Sequence, residues 1–97
     1  MPLKTFVYLL HPCRPTLIDD GTPEEFEKVG EHFEYLKELL DAGRLVLAGP
    51  CEDGAFGIAI FYAEDIAAAE QVVSNDPAIS CGLMTAELHA YRISLMR

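Results

Sequence analysis

Residues Leu3 to Leu10 form an apolar run containing Phe6, Val7 and Tyr8, bounded by Pro2 and Pro12. The run is too short for a buried helix of ordinary length and reads as a first strand. From His11 to Thr22 the chain carries Pro12, Pro15, Asp19, Asp20 and Gly21, which predicts a loop long enough to form a lid or a site wall. Thr22-Pro23-Glu24-Glu25 then opens a helix. Thr22 supplies a hydroxyl N-cap, Pro23 at N1 forfeits only an orphan N–H, and Glu25 at N3 completes a capping box. Phe26, Val29, Phe33, Leu36 and Leu40 recur at spacings of three and four, and Gly43 supplies the stop, so this amphipathic helix runs to about Ala42.

Arg44 to Gly49 reads as a short second strand, and Pro50 to Gly54 as the turn into a third strand, Ala55 to Ala63. Glu64-Asp65 precede Ile66, Ala69, Val72 and Val73 at helical spacing. Ser74-Asn75-Asp76-Pro77 ends this second helix, because proline disfavours helical geometry in the residue before it. Met84, Ala86, Leu88 and Ala90 alternate with Thr85, Glu87, His89 and Tyr91 in a half-buried fourth strand. The order βαββαβ over residues 1–97 predicts one α+β domain of ferredoxin-like topology, a four-stranded antiparallel sheet with two helices on one face. The other face has no cover within the chain. Ala59 and Phe61, or Ile58 and Ile60 in the reversed register, leave apolar area there, and pairing two sheets into a homodimer is the simplest remedy.

Sixteen acids against seven Lys and Arg give a net charge of −9, a field that repels phosphate backbones and anionic lipid and argues against nucleic-acid or membrane partners. Nine acids and two lysines lie between Asp19 and Asp41, a concentration that marks a solvated face. No apolar stretch approaches the ~20 residues that span a bilayer and no signal core is visible, so a cytoplasmic location is expected. Cys13, Cys51 and Cys81 are odd in number and widely spaced, which suits neither a disulfide framework nor a zinc pair. Reduced thiols are expected.

Candidate chemistry starts with the histidines, whose imidazoles titrate nearest neutral pH. His32 has Tyr35, Leu36 and Leu39 at i+3, i+4 and i+7, which puts it on the flank of the apolar stripe. It is either a half-buried core histidine or a catalytic or ligand-binding one. Asp76 stands beyond the second helix in a conformation that Pro77 forces to be extended, where its carboxylate is free to project into a cleft or simply to initiate a turn. A carboxylate near an imidazole favours the protonated ring, fixes its tautomer and orients it, as general acid–base catalysis requires. Ala48-Gly49-Pro50 closes the second strand with a glycine that lets backbone approach a ligand. No HxH, HxxxH or carboxylate triad at ligand spacing is present and no glycine-rich phosphate loop lies between strand and helix, so neither a metal site nor a phosphate-binding loop is expected.

The stretch from His32 to Pro50 fills every fixed position of H-x-x-Y-L-x-x-L-x-x-x-G-x-L-x-x-x-G-P and resembles the YciI-like family. The likeness continues through Asp53-Gly54, the strand Gly57 to Tyr62, Asn75-Asp76-Pro77 and Gly82-Leu83. The resemblance implies a ferredoxin-like subunit assembled as a dimeric α+β barrel, with a His-Asp pair in a cleft. Carried onto this chain, the pair is His32 and Asp76 as catalytic residues, with Tyr35, Gly49 and Pro50 as substrate-binding ones. It also implies cofactor-independent acid–base catalysis of the lyase or isomerase type on a small organic substrate, such as a hydroxylated aromatic. A non-catalytic module that binds a small molecule or a partner, and a cofactor-independent monooxygenase, are the alternatives.

Overall fold

A computed structural model describes residues 3–97; Met1 and Pro2, the latter the expected boundary of the first strand, lie outside the described residues. Four antiparallel strands, β1 (Lys4–Pro12), β2 (Leu45–Pro50), β3 (Gly57–Ala63) and β4 (Met84–Ala90), form one sheet in the order β2-β3-β1-β4. The helices are α1 (Leu17–Asp20), α2 (Pro23–Asp41), α3 (Ile66–Ser74) and α4 (Pro77–Ser80). The topology is the ferredoxin-like α+β fold expected from the element order. Boundaries of the expected elements move by one or two residues, and β1 runs on to Pro12.

The strongest local signals act as read. Thr22 accepts from the Glu25 amide and donates its own amide to Glu25 Oε1, at 3.1 and 2.9 Å, so the capping box is complete. At the other end of α2, Gly43 takes φ +74°, open to glycine at no steric cost. Its amide bonds Leu40 O while the Arg44 amide reaches Leu39 O, which satisfies carbonyls that the helix end would leave orphaned.

The register settles which residues each face carries. Phe6 pairs with Phe61 and Tyr8 with Ala59, and all four are buried between sheet and helices with Leu10, Leu36, Leu45, Ala69 and Val73. Tyr8 meets Phe61 edge-on at 5.6 Å between ring centroids, a favourable aromatic geometry. Ile58 and Ile60 therefore belong to the face turned away from the helices, beside Leu9 and Val7; Val7 and Ile60 are buried there, and Leu9 and Ile58 half-buried. A bulge between Leu45 and Leu47 shifts β2 by one residue. Beyond it Ala48 and Pro50, rather than Leu47, stand opposite Ala59 and Gly57 on the helix side, so small side chains line the sheet there.

Two features depart from the sequence reading. The His11–Thr22 segment is not all loop: it contains the single turn α1, tied to α2 by Arg14, whose guanidinium donates to both Glu25 carboxylate oxygens at 2.7 Å and to Asp20 Oδ1 at 2.9 Å. A second short helix, α4, follows Asp76 directly. One turn is too short to show a hydrophobic period, which is why neither was legible. No helix among the described residues is long and apolar enough to cross a membrane.

Candidate functional site

Asp76 is the structural centre of the site. It is the N-cap of α4, extended at φ −68° and ψ 122°, and its Oδ1 accepts from the Ala78 amide at 3.0 Å. Of the two roles its place before Pro77 left open, it takes up that of starting the next turn, and the side chain is fully buried rather than projecting into an open cleft. Its remaining capacity is taken by two side chains from distant elements. His32 Nδ1, on α2, lies 2.8 and 2.7 Å from Oδ1 and Oδ2, and the Tyr8 hydroxyl, on β1, donates to Oδ2 at 2.9 Å. A buried carboxylate without such donors costs several kcal/mol; here all three partners donate.

Tyr8 is a member of the site that the sequence reading named only as part of the first strand. Burial, reinforced by Asp76 beside it, pushes its phenol far above the ordinary range, so it remains a donor. The available signal was chemical: Tyr8 shares the inward face with Phe6 and Leu10, and a buried phenol needs a hydrogen-bond partner.

The carboxylate can only accept, so Nδ1 of His32 carries the proton in this hydrogen bond, and in the neutral ring Nε2 bears the lone pair. Nε2 makes no hydrogen bond among the described residues, and the His32 side chain retains 13% exposure. His32 borders a cavity of about 690 Å³ between α2, the β2–β3 end of the sheet and α1. Asp76 does not line it; the carboxylate stands behind the imidazole, which intervenes between charge and cavity.

The cavity walls are strongly apolar. Phe26, Val29, Phe33 and Leu40 of α2 face Leu45, Ala48, Gly49 and Pro50 of β2, with Ile18, Phe56 and Met84 closing the sides. Gly54, at φ +77° in the β2–β3 turn, lets Ile18 of α1 approach: a Cβ there would sit 3.0 Å from the Ile18 side chain. Gly49 and Pro50 thus border the same cavity as His32. Tyr35 does not. One residue before Leu36 of the inward stripe, it turns towards α3 and donates to Val72 O at 2.5 Å. Burial pushes its phenol up to about 12, with Asp76 and Glu38 adding to the effect. Among the described residues, no group of three or more His, Cys, Asp or Glu side chains is arranged to hold a metal ion.

The YCII-related domain matches residues 5–89, from β1 to the end of β4. The chain belongs to the YCII-related family. A solved structure with a similar fold is the 5-chloro-2-hydroxyhydroquinone dehydrochlorinase from Burkholderia phenoliruptrix AC1100, in complex with 2,5-dihydroxybenzoquinone. It is 18% identical, with a TM-score of 0.66 over 90% of this chain and 93% of that one. At this identity the likeness shows that this YCII-related chain shares the fold. No curated protein matches the chain.

Proposed function

We propose that this YCII-related protein is a cofactor-independent acid–base catalyst that binds a small hydroxylated aromatic in the cavity beside His32. The observation that carries the reading is the placement of one imidazole: Nδ1 is held by a buried carboxylate, and the same residue borders an apolar cavity of about 690 Å³, a size suited to a small organic ligand. Nε2 takes a proton from a substrate hydroxyl, and the electron pair left on oxygen moves into the ring. The imidazolium returns the proton to the ring carbon that carries a halide, and loss of a second hydroxyl proton then drives the halide out with its bonding pair and leaves a quinone. Asp76 holds the imidazolium formed in the step, and Tyr8 and the Ala78 amide hold Asp76. The solved relative's action on a chlorinated hydroxyhydroquinone supports the choice of substrate class.

The subunit is proposed to act as a cytoplasmic homodimer, through the sheet face turned away from the helices, where Leu9 and Ile58 are half-buried beside the buried Val7 and Ile60. The extended segment after β4 is held at its base by Tyr91, whose amide donates to Thr5 O, while Leu95 beyond it is 94% exposed. Such an apolar side chain gains by burial against a second subunit.

The test is chloride release and spectral change with chlorinated hydroquinones, comparing wild type with His32→Gln. Loss of a positioned general base lowers turnover by about 10²–10⁴-fold. Undiminished turnover in a folded His32→Gln variant refutes the assignment, and a change of affinity with no turnover in either protein favours a binding module.

A further inference from the structure

Along α2 the cavity is faced by Phe26, Val29, Phe33, Lys37 and Leu40. The spacings of three, four, four and three place these residues on one helical stripe. Lys37 is the single polar residue in it. Its two near acids at helical spacing are Glu34 and Asp41, yet Lys37 pairs with neither. Among the described residues its ammonium makes no ion pair or hydrogen bond, whereas Lys28 on the same helix pairs with Glu31 at 3.1 Å. The charge of the cavity is the second observation. The chain carries sixteen acids and a net charge of −9, but the ionisable side chains among the described residues lining the cavity are His32 and Lys37, and none is Asp or Glu.

We infer that Lys37 is a specificity-determining residue: its ammonium receives an anionic substituent, a carboxylate or an ionised hydroxyl, on an aromatic ligand whose ring lies in the apolar cavity. The inference rests on the cavity being the substrate site. A neutral apolar ligand gains nothing from a cation on the stripe, while an anionic one is repelled by the molecule's overall field and needs a local positive charge. The five-residue step from His32 to Lys37 separates their Cα atoms by about 9 Å. With the flexible stem of lysine, that step sets a proton acceptor and a cation at two points around a single substituted ring. Lys37 is exposed at the rim of the cavity, so its stem can lie along the apolar wall while the ammonium meets the substituent at the mouth.

The test is the affinity of 2,5-dihydroxybenzoate and of its neutral methyl ester for wild type, Lys37→Gln and Lys37→Arg. Isothermal calorimetry supplies affinities, and protein NMR shifts locate the bound ring against the cavity residues. Wild type and Lys37→Arg are expected to prefer the acid over the ester by about five-fold, and added salt is expected to reduce the preference. Lys37→Gln is expected to bind both equally. Equal binding by wild type, a preference that survives in Lys37→Gln, or no binding of either probe overturns the inference. The preference is expected to persist in His32→Gln. Failure of the proton-transfer reading therefore leaves the Lys37 result intact, and loss of the Lys37 result leaves turnover by His32 unaddressed by it.

Discussion

Replacing Asp76 by alanine removes the shared acceptor of three donors, and the cost follows from where each is left. The Tyr8 hydroxyl stays fully buried with no partner in reach, a loss of about 1–3 kcal/mol. The Ala78 amide loses its N-cap, about 1 kcal/mol. His32, partly exposed, recovers some of its loss from water. The whole comes to about 3–5 kcal/mol, a large share of the stability of a small domain. Asp76→Asn is milder: its carbonyl oxygen can still accept from Ala78 and His32, and its amide can donate to the Tyr8 oxygen, since a phenol both donates and accepts. Equilibrium urea unfolding with both variants is the assay. With a slope of about 1–3 kcal/mol per molar, Asp76→Ala is expected to lower the midpoint by at least about 1 M, and Asp76→Asn by clearly less. If Asp76→Ala unfolds at the wild-type midpoint, the buried network does not anchor the site and the reasoning fails. An alanine variant that does not fold agrees with the upper end of the range, and the asparagine variant then carries the comparison.

Glu25 is held down to about 2 by the Arg14 guanidinium and by the Thr22 amide. A value depressed on folding stabilises the native state above the ordinary carboxylate value of 4.5, and the contribution is lost as pH falls from there towards about 2. The gap in thermal midpoint between wild type and Arg14→Gln is therefore expected to be open at neutral pH and to close over that window; a gap that does not narrow refutes the clamp. On the sheet face turned away from the helices, where Leu9 is half-buried, Leu9→Lys is expected to convert a dimer to a folded monomer in light scattering, with circular dichroism unchanged. A wild-type monomer, or a Leu9→Lys dimer, removes that face from the assembly.

The periodic elements were legible because local chemistry specifies them. The capping box at Thr22 and the glycine stop at Gly43 bound α2, and strict alternation marks β4. The one-turn helices α1 and α4 were not, since a single turn carries no period, and Arg14 contacts Asp20 and Glu25 only once the chain has folded back. The bulge in β2 was equally silent: Leu45-Val46-Leu47 reads as ordinary alternation, and only pairing with β3 turns Leu47 outward and Ala48 in.

Sequence by itself determined the element order and the residue types able to move or hold a proton, because propensity, capping and polarity are properties of short stretches. Tertiary structure decided their company. His32 and Asp76 lie 44 positions apart, and Tyr8 is 68 from Asp76. They meet because an antiparallel sheet packs β1, α2 and the turn before α4 around one buried carboxylate that must find donors. The same packing turned Tyr35 away to Val72, although its spacing from His32 fits the family pattern: on a helix, three residues of separation fix only an angle, and the neighbouring element decides whether that angle faces a cavity.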